Sequence, residues 1–431
     1  NQDMTNWTQA DKNAYQAGQA SASQGYNEAR QNPDDTTHTG NTNVDESFKG
    51  AAAAFNDVKN GEEGQNGTSD ASPVYQDAYQ VALNAAKQVA NNGATSFGNG
   101  QDLATQVAKL GNNQADKNAF TKGYNDAQAA YAQAQQTPSQ ASPYATGTNS
   151  NLVFEAAQNA FSDVKNGEAG AQANKSSDPA YVAAYQRALN EVQPVATNGA
   201  SGFSNGVNLQ QQLESFGNNQ AQKDAYTKGY NDAQTAYGQA LQNANDNADH
   251  NTSSNGDETY RGAAAALLDV KNGTAGQHAN AEQSAPYQAA YAKALAQAQA
   301  QSNAGATAFG SKTDLNSALG QFGNNQALSD TFAKGYNDAS AGYTDAQKDA
   351  NMSSTHSTNG DKDEVYRGAA DAFNAVSRGD NPTPDASQTN AAYLAAFSRA
   401  KDQALQIAKD AAVGFNKGTA QQDLLSAQGD N

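Results

Sequence analysis

Apolar residues recur along this chain at helical spacing and are separated by polar, turn-rich stretches. In "VDESFKGAAAAFNDVK", residues 44 to 59, Phe48 and Phe55 stand seven apart with small residues between them. Later copies of the segment use Phe154 and Phe161, Tyr260 and Leu267, and Tyr366 and Phe373. One face of an amphipathic helix is expected, closed by Asn60 and Gly61, because glycine enters the left-handed region at little cost. A second helix follows Ser72 and Pro73 and carries Tyr75, Tyr79, Ala82, Ala86 and Val89 on one stripe. A linker through Gly93 to Phe97 is expected to lead to a third helix, "DLATQVAKLG", with Leu103, Val107 and Leu110 on a common face. The fourth helix bears Phe120, Tyr124, Ala127 and Tyr131. Neither strict alternation nor β-branched runs favour strands.

These elements repeat. Gly61, Gly167, Gly273 and Gly379 are 106 residues apart, and Tyr75, Tyr181, Tyr287 and Tyr393 keep the same interval. An indel-free recurrence of that length implies tandem modules. The stretch "QADKNAYQAGQASASQGY" at 9 to 26 aligns with 114 to 131, so the chain is expected to open inside a preceding repeat and to close inside a later one. The expected organisation is the end of a preceding repeat plus linker at 1–43, repeats at 44–149, 150–255 and 256–361, and a truncated repeat at 362–431. The expected fold is all-α, in tandem helical-bundle modules strung as an extended array of beads. Polar connectors such as "NDNADHNTSSNGDE" suit that picture. Their Ala-rich ends leave open whether neighbouring modules dock.

Gly123, Gly229 and Gly335 interrupt nothing, since the apolar stripe runs through each of them. A glycine there costs about 0.5 to 1 kcal/mol of helix propensity relative to alanine. Close helix approach is the expected reason, matched by Gly50, Gly262 and Gly368 on the first helix; a hinge or a ligand contact are the alternatives.

Composition narrows the function. Charged residues make up 16% of the chain, the formal charge is −18, and the mean hydropathy of −0.83 comes mostly from uncharged polar residues. The negative balance disfavours nucleic acid as a partner. No apolar run is long enough to span a membrane. Cysteine is absent, which removes disulfides and thiol chemistry. The opening "NQDMTNW" has no signal-peptide pattern, as expected of a mature chain or an excised segment.

Candidate chemistry is sparse. His38, His250, His278 and His356 fall in or near polar connectors, without metal-binding spacing, and are expected to be solvated. Asp57, Asp163 and Asp269 each stand two residues before a lysine near a helix end, where solvation or local capping is expected; Asp126, Asp232 and Asp338 are placed to bond across the bundle. Sequons at Asn66, Asn251 and Asn272 follow from composition. The regular tyrosines read as core residues whose hydroxyls reach the bundle edge. No catalytic, cofactor-binding or metal-binding residue is assigned, no cofactor is expected, and any ligand-binding residues are left unassigned.

The phrases "KGYNDAQ" and "DVKNG" at a fixed interval, in Cys-free acidic modules rich in Ala, Asn, Gln and Thr, resemble the repeat regions of large cell-wall-linked surface proteins and adhesins of lactobacilli and related Gram-positive bacteria. That resemblance implies a non-catalytic, monomeric stalk or adhesin at the cell surface. Its implied partners are a host glycoprotein, a glycan or a bacterial surface component. The alternative is an array of glycan- or polysaccharide-binding helical modules attached to a secreted enzyme.

Overall fold

A computed structural model of the chain describes residues 7–246, 249–418 and 421–428. Among these residues it is all-helical, with no strand. The first helices of the repeats are α2 (Asn43–Asn60), α6 (Asn149–Asn166), α10 (Asn255–Asn272) and α14 (Asp361–Ser377). The second helices are α3 (Pro73–Gly98), α7 (Pro179–Ser204), α11 (Ala285–Gly310) and α15 (Ala391–Asn416). Short third helices follow: α4 (Leu103–Ala108), α8 (Leu209–Ser215), α12 (Leu315–Leu319) and α16 (Gln421–Gln428). The fourth helices are α1 (Gln9–Gln31), α5 (Gln114–Gln136), α9 (Gln220–Gln242) and α13 (Gln326–Lys348).

Local chemistry sets the ends. Thr42, Thr148 and Ser254 each accept a hydrogen bond from the backbone N–H three residues on, satisfying donors that the first turn leaves open. Gly61, Gly167 and Gly273 close the same helices at φ of 75°, 79° and 74°, as their sequence position implies. Ser72 caps α3, with Pro73 in its first turn.

Two expectations about elements change. The second helix does not stop for a linker at Gly93; it runs without a break from Pro73 to Gly98. Gly93 is kept small because a Cβ there would lie 2.2 Å from the carbonyl oxygen of Phe120 on α5. The third helix is a minor element with no buried residue: Leu103, Val107 and Leu110 are all only half-buried.

The described residues fall into two compact units: one runs up to Ala196 with Gln210–Lys228, the other comprises Thr197–Leu209 with the residues from Gly229 onward. In the first unit α2 packs between α1 and α3, and α5 packs on α3 and on α6 of the next repeat. In the second, α11 lies against α10, α13 and the following repeat's α15, while α13 also packs on α14. Neighbouring repeats within a unit therefore share cores. One core joins Phe97, Tyr131 and Ala134 of repeat 1 to Phe154, Phe161 and Tyr181 of repeat 2.

The close-approach reading of Gly123 holds, with a different partner. A Cβ at Gly123 would lie 1.9 Å from the carbonyl oxygen of Ala90, and one at Gly335 1.9 Å from that of Ser302, both on second helices. Gly50 does not face Gly123; it meets the Tyr75 carbonyl at 2.2 Å. The second helix is thus approached closely on two sides, by the first helix and by the fourth.

Candidate functional site

Asp57, Asp163 and Asp269 are not solvated. Each is about 2% exposed or less and organises the loop that follows its helix. Asp163 accepts hydrogen bonds from the Gln172 backbone N–H and side-chain amide, both at 2.8 Å, and from the Tyr185 hydroxyl at 2.5 Å. Asp57 receives the same set from Asn66 and the Tyr79 hydroxyl. Asp269 receives it from the His278 N–H and imidazole, at 2.9 and 2.6 Å, and from the Tyr291 hydroxyl at 2.6 Å. Burial alone would raise the Asp269 carboxyl, but the bonds from Tyr291 and His278 outweigh it and hold it below the usual range. Burial, then the facing carboxylate, pushes the Tyr79, Tyr185 and Tyr291 hydroxyls up. Repeat 4 has Ala375 and Phe397 at the corresponding places, so the carboxylate and its hydroxyl partner are lost together.

Three histidines also leave the solvent. His38 stacks on Phe48 with centroids 4.0 Å apart, His250 on Tyr260 at 3.8 Å and His356 on Tyr366 at 3.8 Å. Their Nδ1 atoms meet Asp45, Asp257 and Asp363 at 3.2, 3.1 and 2.8 Å, in the first turn of the helix that follows. The clasp is missed by helical spacing because the histidine precedes its helix and lies on no helical stripe, although His38, His250 and His356 fall at whole multiples of the 106-residue interval. The signal was available in the constant offset of seven between each histidine and its aspartate. Repeat 2 replaces the histidine by Tyr144, packed edge-on against Phe154. The connectors are therefore fastened at their ends to the helices they introduce.

Asp126 and Asp338 bond along their own helix to Lys122 and Lys334, rather than across the bundle. Tyrosine hydroxyls at the bundle edge are satisfied within the fold: Tyr131 donates to Glu191 at 2.7 Å, Tyr237 to Gln297 and Tyr343 to Gln403, both at 2.8 Å.

The most regular polar and aromatic cluster is the joint between repeats. Phe97 ends α3 and packs edge-on to Tyr124 and Tyr131. From the next repeat, the Arg187 guanidinium lies 4.2 Å from the Phe97 ring centroid and donates to the Phe97 carbonyl at 2.5 Å. The set recurs with Phe203, Tyr230, Tyr237 and Lys293, and again with Phe309, Tyr336, Tyr343 and Arg399. The cation adds a second hydrogen bond to a helix-end carbonyl that already accepts from the backbone N–H three residues on, and it covers the ring.

Clefts recur as well, with changing chemistry. Between the end of the first helix and the start of the fourth, Lys165 pairs with Asp224 at 2.8 Å and Lys271 with Asp330 at 2.7 Å. The repeat 2 cleft has about 320 Å³ and is lined by Gln158, Asn159 and Gln172; in repeat 3, where Leu268 replaces Ser162, the equivalent positions line a space of about 20 Å³ at Leu267 and Asp330 and another of about 550 Å³ at Ala265 and His278. Amide and ion-pair groups such as these hold neutral polar ligands by hydrogen bonds. Among the described residues, no group of three His, Cys, Asp or Glu side chains is placed to hold a metal ion, and no helix is long and apolar enough to cross a membrane. In comparisons with known proteins, the chain matches no family model, no curated protein and no solved structure.

Proposed function

We propose that the chain is a non-catalytic repeat array of a bacterial surface protein, acting as a stalk or adhesin that spaces or multiplies weak binding to a host glycoprotein, a glycan or a bacterial surface component. The extracellular, cell-wall-linked setting belongs to this proposal and rests on the resemblance of the repeats. The observation that carries the structural half is the joint of Phe97 with Arg187, repeated by Phe203 with Lys293 and Phe309 with Arg399. Each added repeat is fastened to the last by the same contact, as a spacer of adjustable length requires. Weak sites carried at that spacing gain by tethering, with avidity about 10² to 10⁴ above single-site affinity on a repetitive target.

The glycan-module alternative draws on the polar cleft of repeat 2. Against it, repeat 3 carries Ala265, Leu268 and His278 where repeat 2 has Asn159, Ser162 and Gln172, so the repeats do not multiply one common polar lining there. The test displays chains of increasing repeat number at equal molar density and measures retention on bacterial cells, mucin and immobilised glycans. Retention rising steeply with copy number supports the adhesin. Retention equal for repeat 2 alone and for the array supports a single glycan site. No retention by any chain leaves spacing as the task.

A further inference from the structure

A cleft of about 460 Å³ lies inside the second unit, where repeat 3 meets the first turn of α14. Its lining comes from the end of α10 and the loop after it, from α11 and α13, and from the start of α14. Val270 and Ala275 supply apolar surface, Gln299 and Asn303 carboxamides, Lys334 an ammonium, and Asp338 and Asp361 carboxylates. The volume falls within the roughly 300 to 1,000 Å³ of small-molecule sites.

Repeat 1 builds the same place differently. Ala275 and Gln299 correspond to Glu63 and Lys87, which pair with each other at 2.9 Å. With alanine and glutamine there, repeat 3 has no ion pair across these positions, and Gln299 brings an exposed amide that both donates and accepts. Ser302 stands where repeat 1 has Ala90, and Asp361 where it has Asn149. The Ser302 hydroxyl donates to one oxygen of Asp361, and the Asn303 amide donates to the other at 3.4 Å. Lys334 pairs with Asp338 one turn further along α13. Burial pushes the Asp361 carboxyl up.

We propose that this cleft binds a neutral saccharide. Sugar hydroxyls each donate and accept, and the lining answers both demands: Asp338 and Asp361 accept, Lys334 and Asn303 donate, and Gln299 does either. Val270 and Ala275 give the C–H face of a sugar ring an apolar surface to pack on. Charged ligands match less well. The two carboxylates repel an anion, and Lys334 repels a cation that approaches Asp338. A hydroxyl also suits Asp361, because it bonds a carboxyl in either charge state. The assignment of this cleft comes from its own lining, while the proposal deepens the glycan reading above and rests on it for the setting in which a saccharide is met. Repeat 1, with Glu63 and Lys87 in place, does not share the site.

The test titrates the full, isotopically labelled chain with glucose, galactose, N-acetylglucosamine, maltose and lactose, followed by NMR. At least one of these sugars should bind with a dissociation constant on the order of a millimolar and move the amide signals of Gly273, Ala275 and Gly360. Added salt should leave that constant unchanged, since a neutral ligand brings no charge to screen. Ala275→Glu with Gln299→Lys rebuilds the repeat 1 ion pair in the cleft and should weaken binding about tenfold or more. Circular dichroism and the melt should hold in this double variant, because repeat 1 carries the same pair. Sugar binding that persists undiminished in the double variant, or that moves the signals of Gln158 and Asn159 in the repeat 2 cleft instead, overturns this assignment and leaves the glycan reading standing. Binding confined to putrescine, a cationic control, and lost on adding salt overturns the ligand class. No binding of any of the five sugars overturns both the assignment and the glycan reading.

Discussion

At the scale of single residues, the buried aspartates explain how polar loops are held by a core made largely of alanine. The Asp163 carboxylate gathers a backbone N–H, a side-chain amide and a phenol, and it leaves none of them facing an apolar wall. Asp163→Ala removes the acceptor and strands Tyr185 and Gln172, at a cost of about 2 to 4 kcal/mol in urea denaturation. Adding Tyr185→Phe should restore part of that loss, because repeat 4 pairs Ala375 with Phe397. Additive losses in this double-mutant cycle would show that the two groups act independently. pH provides a separate test at Asp269. Its folded carboxyl is depressed, so its contribution is present above the unfolded value of about 4 and is lost as pH falls through the folded one. The stability difference between wild type and Asp269→Asn should therefore shrink as pH falls from about 5 toward 2.

At the scale of helices, glycine decides how closely the second helix is approached. Gly123→Leu gains about 1 kcal/mol of helix propensity and must displace the Ala90 carbonyl, a helix backbone with no room to yield. A net loss of at least about 2 kcal/mol is expected, read as a lowered denaturation midpoint; an unchanged midpoint would mean the helices separate at little cost. The contrast with Gly18 is informative, since a Cβ there on α1 meets only the Asn43 Nδ2, at 3.9 Å. The histidine clasp belongs to this scale too. His356→Tyr keeps an aromatic ring against Tyr366 and loses the bond to Asp363, as Tyr144 does naturally in repeat 2. A change of no more than about 1 kcal/mol is expected for it in thermal unfolding, against a larger loss for His356→Ala, which removes ring and bond together.

At the scale of the whole molecule, stability is shared across repeat boundaries. Phe97 and Tyr131 of repeat 1 are buried partly by residues beyond 149, and Arg187 closes the joint. A fragment spanning 44–149 should therefore melt below the same residues in the full chain, while a fragment of two repeats recovers most of the difference. Identical melting of the single repeat and the array would show that the joints contribute nothing. Arg187→Ala should cost about 1 to 2 kcal/mol and act on repeats 1 and 2 together, seen by hydrogen exchange on both sides of the joint.

Much of this was legible in the sequence by itself. The interval of 106 residues, the helical stripes through Phe48, Tyr75 and Phe120 and the glycine caps at Gly61, Gly167 and Gly273 are local or periodic properties. Backbone conformation and side-chain spacing express them directly. That Gly123 marks a close approach was legible too, but its partner was not, because spacing along one helix does not say which neighbour it meets. Only tertiary structure decided that Gly93 lies within a helix, since a glycine that would break an isolated helix is tolerated where another backbone presses against it. Tertiary structure also turned Asp57 and His38, expected to be solvated, into a buried and a half-buried anchor. Their partners, Tyr79 for the one and Phe48 for the other, lie on neighbouring helices, and a polar residue's cost of burial vanishes only when such partners arrive. The joint of Phe97 with Arg187 spans 90 residues of sequence and rests on the same reason: desolvation and pairing are properties of the assembled fold.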